Sequence, residues 1–200
     1  MIRAMIVHLC DTEEGAMITR PWILRPFEAA SDTEAVQRID TSYVTSESYQ
    51  VRSDGRRLEL EPVAEDSQLT RTYTIDLGAD DWQHAHVAVL DGAVRGFVAW
   101  AEQGWNRRLA IWHFYVDRPV RRLGAGRLMM DMALGWAAQR RLLTAWVETS
   151  NANLPGIASY RRLGFEICGF DTTLYRGTPG PNEFAIYMAR EVAEPRAAAP

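Results

Sequence analysis

The sequence contains no lysine: all 22 of its basic residues are arginine. That absence removes Schiff-base and lysine-nucleophile chemistry, and it removes the Walker-type phosphate loop, whose second glycine must be followed by a lysine. Cysteine is nearly missing as well. Cys10 and Cys168 are the only two, far apart in the chain, which argues against a disulfide framework or a metal knuckle and suits a reducing cytoplasm. No apolar run approaches the ~20 residues of a membrane span. The apolar stretch 4–10 is short, contains His8 and leads into acidic residues 11–14 rather than a cleavage site, so it does not read as a secretory signal.

What is present suits one soluble domain with a substantial core, at 200 residues and 47% hydrophobic content. We expect that domain over residues 17–192, with residues 1–16 as an extension of uncertain structure and 193–200 as a disordered tail rich in alanine and proline. The net charge of −4 is unevenly spread: residues 1–110 carry 11 Arg against 18 acids, and residues 111–200 carry 11 Arg against 8. Such a split suits an anionic cofactor on one side and a cationic substrate on the other, and equally an ordinary solvated surface. The acidic balance argues against nucleic acid as the main partner.

Periodicity and turn signals suggest a mixed α/β chain. Residues 18–27 read as a first strand, and 32–39 as a short helix capped by Ser31 with Glu34 in the capping-box position. The polar stretch 41–68 suggests a further helix or loop with edge strands. Residues 85–90 and 93–103 form a hairpin closed at Asp91-Gly92. Residues 109–116 read as a strand and 127–140 as a helix, with an apolar stripe through Leu128, Met132 and the Gly135-Trp136 region. A strand over 143–149, a helix over 154–163 ending at Gly164, and strands over 165–170 and 184–189 complete the order.

The most informative segment lies between a strand and a helix: Arg121-Arg122-Leu123-Gly124-Ala125-Gly126. Glycine lets a backbone approach a ligand closely, and a helix start offers unpartnered N–H groups with partial positive charge. Together with the arginines they make a phosphate socket. A dinucleotide fingerprint would need a third glycine where Met129 stands, and the charged residues 117–122 separate strand from glycines. Glu148 does fall roughly 20 residues downstream, where that motif wants an acid, so the dinucleotide reading is weakened rather than removed.

Two patterns then come together. Arg121, Gly124 and Gly126 match an R/Q-x-x-G-x-G/A loop, and Asn153, Tyr160 and Leu163-Gly164-Phe165 match a second signature of an asparagine, a short helix and a tyrosine before an L-G-F turn. In this order they resemble the GNAT family of N-acetyltransferases, over roughly residues 84–190. Within it the chain looks most like the streptothricin acetyltransferases, through Gly104-Trp105-Asn106, Val147-Glu148-Thr149, the run from Asp171 to Tyr175, Pro179, and Asn182 to Ile186. It departs from several of them at Trp112-His113, where they carry an acidic pair, which leaves another amine open as acceptor.

The resemblance implies a mixed, mostly antiparallel central sheet flanked by helices, with a splayed strand pair holding the cofactor. It implies transfer of an acetyl group from acetyl-CoA to a primary amine of a small cationic substrate such as a streptothricin-type antibiotic. The alternatives are a protein N-terminal or lysine acetyltransferase, and a non-catalytic acyl-CoA-binding module. The implied diphosphate grip is Arg121, Arg122, Leu123, Gly124, Ala125, Gly126 and Arg127, with pantetheine along the backbone of Phe114, Tyr115 and Val116. Glu148 is implied as the base, with His113 as the second choice, and Tyr160 as the acid that protonates the departing thiolate. A surface ion pair for Glu148 and a core position for Tyr160 stand as their structural alternatives. Asn153 would bond the cofactor amide, cap its helix, or do both, and the backbone N–H of Tyr115 or Val116 would meet the oxyanion. Asp171 and Glu183 are the substrate-binding expectation. No metal is expected, because His84 and His86 share a strand face without further ligands in view. The partner is a small-molecule amine in the cytoplasm, neither nucleic acid nor membrane, with a homodimer left open.

Overall fold

The computed structural model describes residues 22–78, 82–177 and 183–193. The N-terminal extension, Cys10, Pro179, Asn182 and residues 194–200 lie outside the described residues. The chain forms two compact units: residues 1–41, 73–145 and 192–200 make the first, and residues 42–72 and 146–191 the second.

In the first unit, β1 (Ile23–Pro26), β4 (His84–Leu90), β5 (Ala93–Gln103) and β6 (Arg108–Val116) are hydrogen-bonded in the order β1-β4-β5-β6, each pairing antiparallel. The β4–β5 hairpin turns at Asp91 and Gly92, both at positive φ (50° and 76°), the geometry an Asp-Gly pair supplies at least cost. Two bulges shape this sheet. Arg95 is the extra residue of β5, between the pairs Ala88–Gly96 and Val89–Val94; Trp112 is the extra residue of β6, between Ala99–His113 and Trp100–Ile111.

Helix α1 (Ala29–Gln37) brings Val36, followed by Ile39, against Val87, Val89, Phe97 and Ala99 on one sheet face. It starts three residues before the expected 32. Glu28 is its N-cap and Ser31 is already inside it, because the Asp32 carboxylate takes over the start: it accepts from the Glu28 N–H (2.9 Å) and from both Arg25 nitrogens (2.6 and 2.7 Å). Helix α2 (Ala125–Gln139) packs on β4, β5 and β6, on the face to which Ala88 and Gly96 alternate. Its buried residues are Ala125, Leu128, Met129, Met130, Ala133 and Ala137; of the expected stripe Leu128 is among them, Met132 and Trp136 are half-buried and Gly135 is exposed, so the true stripe is turned from the expected one. Gly96 explains the seat. A Cβ there would fall 3.0 Å from Met129 Cε and 3.2 Å from Ala88 Cβ, so its absence lets the helix settle on the strand.

The second unit holds β2 (Tyr43–Ser53), β3 (Leu58–Arg71), β7 (Thr144–Ser150, entering at its first residues), α3 (Leu154–Arg162), β8 (Glu166–Asp171) and β9 (Ala185–Glu191). Of the helix or loop and edge strands expected over the polar stretch, strands are what form: the long β2–β3 hairpin, closed by Asp54, whose Oδ1 accepts from the N–H groups of Arg56 and Arg57 (2.9 and 2.7 Å). Strands β7, β9 and β8 follow one another in that order, and β8 pairs antiparallel with β9. Asn151, almost fully buried, brackets this unit. Its Nδ2 donates to the Tyr49 carbonyl on β2 and its Oδ1 accepts from the Phe184 N–H ahead of β9, each at 2.9 Å.

His84 and His86 are packing residues of the α2-covered face: His86 stacks on Trp100 (centroids 5.4 Å apart) and His84 lies 4.7 Å from the Trp136 ring. Burial pushes both below the ordinary histidine value; Arg140 lowers His84 further against the opposing Glu102, and His84 lowers His86. A depressed folded value means that the unfolded chain binds more protons in the window below the unperturbed histidine range, about 6.5. We therefore expect stability to be full above that value and to fall as pH drops through it toward the folded values. Urea melts at stepped pH should show this loss, and His86→Phe should flatten it; an unchanged slope in that variant would refute the assignment.

Candidate active site

Each half of the expected chemistry is built within one unit. In the first, the phosphate socket is made by the end of β6, a 3₁₀ turn over Arg118–Val120, and the start of α2. Gly124 is the N-cap at φ 90°, a conformation that costs a side chain but not glycine, and α2 begins at Ala125, two residues before the expected start. Its first internal bond runs from the Leu128 N–H to the Gly124 carbonyl (3.1 Å). The N–H groups of Ala125, Gly126 and Arg127 therefore lie in the first turn, ahead of the internal ladder, and the N-cap Gly124 brings no side chain over them. Gly126 stands against β6: a Cβ there would meet Phe114 Cζ at 3.5 Å and Val116 Cγ2 at 3.8 Å. Arg122, at φ 70°, is a non-glycine residue in left-handed backbone, and such strain tends to gather at ligand-gripping loops.

The loop is fastened from below by residues that sequence reasoning missed. The Trp22 indole N–H, fully buried, donates to the Leu123 carbonyl at 2.6 Å. In a trans peptide the next N–H points the opposite way, so this bond turns the Gly124 N–H away from Trp22. Asp117, also buried, accepts from the Asp40 N–H (3.0 Å) and pairs with Arg95 (2.6 Å), which the β5 bulge delivers. Arg121 turns inward to the same knot, donating from Nε to the Val116 carbonyl and from Nη2 to the Asp40 carbonyl, both at 3.0 Å. Its guanidinium thus braces the loop. His113 is buried, with its ring 5.6 Å from Phe97 and 5.8 Å from Tyr115, while its neighbour Trp112 is 42% exposed at the bulge.

In the second unit, β7 alternates buried Val147 and Thr149 with half-buried Trp146 and Glu148. Glu148 Oε1 accepts from the Tyr175 hydroxyl at 2.8 Å. Trp146 lies 5.4 Å from the Tyr187 ring, and the Tyr187 phenol is pushed up by burial and then by the carboxylates of Asp171 and Glu148. Asp171 shares that face, since Gly169 pairs with Tyr187 and Asp171 is two residues along β8. Its Oδ1 accepts from both the Thr173 N–H and hydroxyl at 2.7 Å, bonds that hold its carboxyl below the usual range, the hydroxyl first.

Glu183 is engaged inside the protein: Oε1 pairs with Arg71 Nε (2.6 Å) and Oε2 accepts from Ser150 (2.9 Å). Asn153 caps α3, with Oδ1 accepting from the Gly156 N–H (3.0 Å) and Nδ2 donating to Thr149 (2.9 Å). Gly156 allows this, because a Cβ there would collide with that carboxamide. Tyr160 is half-buried on α3, its ring edge-on to the fully buried Phe165 at 5.9 Å.

Comparison with known proteins agrees with this geometry. Residues 46–165 match the model of the Acetyltransferase (GNAT) family. The chain belongs to that family. This acetyltransferase is 36% identical to the streptothricin acetyltransferase of Streptomyces lavendulae over 168 residues, covering 79% of this chain and 89% of the relative. Among solved structures it matches nourseothricin acetyltransferase with a TM-score of 0.78 at 35% identity, covering 86% of this chain and 99% of that one. A Bacillus anthracis protein solved in complex with acetyl coenzyme A matches with a TM-score of 0.70 at 25% identity, covering 85% of this chain and 99% of that one. The resemblance read from Arg121, Gly124, Gly126, Asn153 and Tyr160 is thereby confirmed, as are the mostly antiparallel α/β fold and the enzyme class, an acetyl-CoA-dependent N-acetyltransferase. Among the described residues no helix is long and apolar enough to cross a membrane.

Proposed function

We propose that this acetyltransferase moves an acetyl group from acetyl-CoA to a primary amine of a small cationic antibiotic of the streptothricin type, in the cytoplasm. The observation that carries this reading is the Glu148 carboxylate, held by the Tyr175 hydroxyl on a strand face shared with Trp146, in a chain similar along most of its length to a streptothricin acetyltransferase. Carboxylates and aromatic faces are the groups that receive an ammonium ion.

The α2 start fits a diphosphate: first-turn N–H groups behind a glycine N-cap, a positive dipole end, and the arginines 122 and 127 close by in sequence. Acetyl-CoA, when bound, supplies an activated thioester. The backbone of Phe114, Tyr115 and Val116 would carry the pantetheine arm, with a backbone N–H of Tyr115 or Val116 for the oxyanion. Glu148 accepts the proton that the ammonium must lose before its nitrogen bonds the thioester carbon, directly or through one water. As the carbon–sulfur bond breaks, the Tyr160 phenol gives its proton to the sulfur. Asp171 and Glu183 support the amine side through the segments they hold, Asp171 by its bonds to Thr173 and Glu183 by its bonds to Arg71 and Ser150.

A thiol-release assay with acetyl-CoA and a panel of streptothricin, aminoglycosides and peptides tests this reading. We expect turnover of streptothricin, with Tyr160→Phe lowering kcat by about 10²-fold or more at unchanged acetyl-CoA affinity. Turnover of peptides alone would make it a protein acetyltransferase. Tight acetyl-CoA binding without turnover of any amine would make it an idle acyl-CoA module.

A further inference from the structure

The segment after β8 has a feature that amine binding does not require. Asp171 winds a tight turn on itself: one carboxylate oxygen takes both the N–H and the hydroxyl of Thr173 at 2.7 Å, and the Arg176 N–H closes on the Thr173 carbonyl at 3.0 Å. The residue this turn delivers is Tyr175, whose hydroxyl ends 2.8 Å from Glu148 Oε1. The bond joins residues 27 apart in sequence and ties a loop to a strand. Tyr175 lies within a bend and turn run, so its height above β7 is set by that turn rather than by a strand or helix.

We infer that Asp171 and Tyr175 are positioning residues for Glu148: the Asp171 turn sets the Tyr175 hydroxyl on the carboxylate, which fixes the carboxylate's rotamer on the strand face that receives the amine. The inference rests on the reading of Glu148 as the base. A hydroxyl donating to the ionised form of a carboxylate favours that form, so the bond also keeps the base deprotonated to lower pH. The sequence resemblance casts Asp171 as a direct ligand of the cation. In the turn its role is geometric instead, and an asparagine can fill it, because Asx turns need only the acceptor oxygen.

The test is made on the full chain with acetyl-CoA and streptothricin, reading kcat/KM against pH, amine KM, acetyl-CoA affinity and thermal midpoint. Tyr175→Phe should move the acid limb upward by about half to one pH unit and leave acetyl-CoA affinity unchanged. Asp171→Ala should reproduce that shift, and Asp171→Asn should restore the native limb and amine KM. An unmoved limb in Tyr175→Phe, with or without a lower thermal midpoint, overturns the proposal. So does an amine KM raised equally by Asp171→Asn and Asp171→Ala, which would make the charge the acting feature. Glu148→Gln separates the two readings. If it keeps the native profile, Glu148 is not the base; if it abolishes the limb while Tyr175→Phe leaves it in place, the positioning role alone is lost.

Discussion

Glu148→Gln should lower kcat by about 10²- to 10⁴-fold while leaving acetyl-CoA affinity unchanged, the range for loss of a general base. The substitution is nearly isosteric, and a glutamine carbonyl oxygen still accepts from the Tyr175 hydroxyl, so the geometry at 2.8 Å survives. What disappears is the charge and the proton-accepting capacity. The acid limb of kcat/KM should vanish with it, since the group whose ionisation makes that limb is gone. Steady-state kinetics distinguishes the possible outcomes. A fall in kcat at constant amine KM identifies a base, whereas a raised amine KM at constant kcat identifies a group that only holds the ammonium. Activity within about threefold of the parent, with the limb intact, would remove Glu148 from the reaction and turn attention to His113, buried against Phe97 and Tyr115.

The part of the fold that was legible in advance is the part governed by local rules. The Asp91-Gly92 hairpin, the strand before the glycine loop, and the cap at Asn153 with Gly164 behind the helix all follow from residues whose preferences act within a few positions. Where tertiary contacts decide, the reading slipped. Asp32 draws the α1 start forward because Arg25, on the preceding strand, pairs with it. The seat of α2 depends on Gly96, a strand residue distant from the helix in sequence, so periodicity inside the helix could not centre the buried stripe. The β2–β3 hairpin was obscured because β3 has no buried residue: an exposed ribbon lacks the apolar alternation by which strands are recognised.

The site divides along the same line. Gly124 is visible because its left-handed backbone demands glycine, and Gly126 because it completes the same motif within one loop. Trp22, Arg95 and Asp117, which fasten that loop, are scattered through the chain, and a lone aspartate beside arginines carries no signature. Their only advance trace is the charged run 117–122, which reads as solvated surface when the partners are unknown. Glu183 shows the converse. The resemblance marks its segment, yet what an acid does there depends on Arg71 and Ser150, residues that no motif links to it.

The largest loss of stability should come from a residue that no motif names. Asn151 is 4% exposed and uses both ends of its carboxamide, the nitrogen on the Tyr49 carbonyl and the oxygen on the Phe184 N–H. Its backbone adds two more bonds: its N–H donates to the Phe184 carbonyl at 2.9 Å, and its carbonyl accepts from the Tyr49 N–H at 3.0 Å. Asn151→Ala leaves the backbone pair in place but strips a buried carbonyl and a buried N–H of their side-chain partners. Each such group costs about 1–3 kcal/mol, so we expect a loss of roughly 2–6 kcal/mol, or on the order of 10 °C in thermal midpoint for a chain of this length. Asn151→Asp should not rescue it, because the aspartate keeps the acceptor for Phe184 but offers Tyr49 no donor and buries a charge. Calorimetric melts of the three proteins decide the matter: a midpoint within about 1 °C of the parent for Asn151→Ala would show that the bracket carries no load. The loss should also reach the chemistry. Ser150, next in the chain, bonds Glu183, and Glu148 is two residues further along the same strand, so loosening Asn151 frees the β7 end that presents the base.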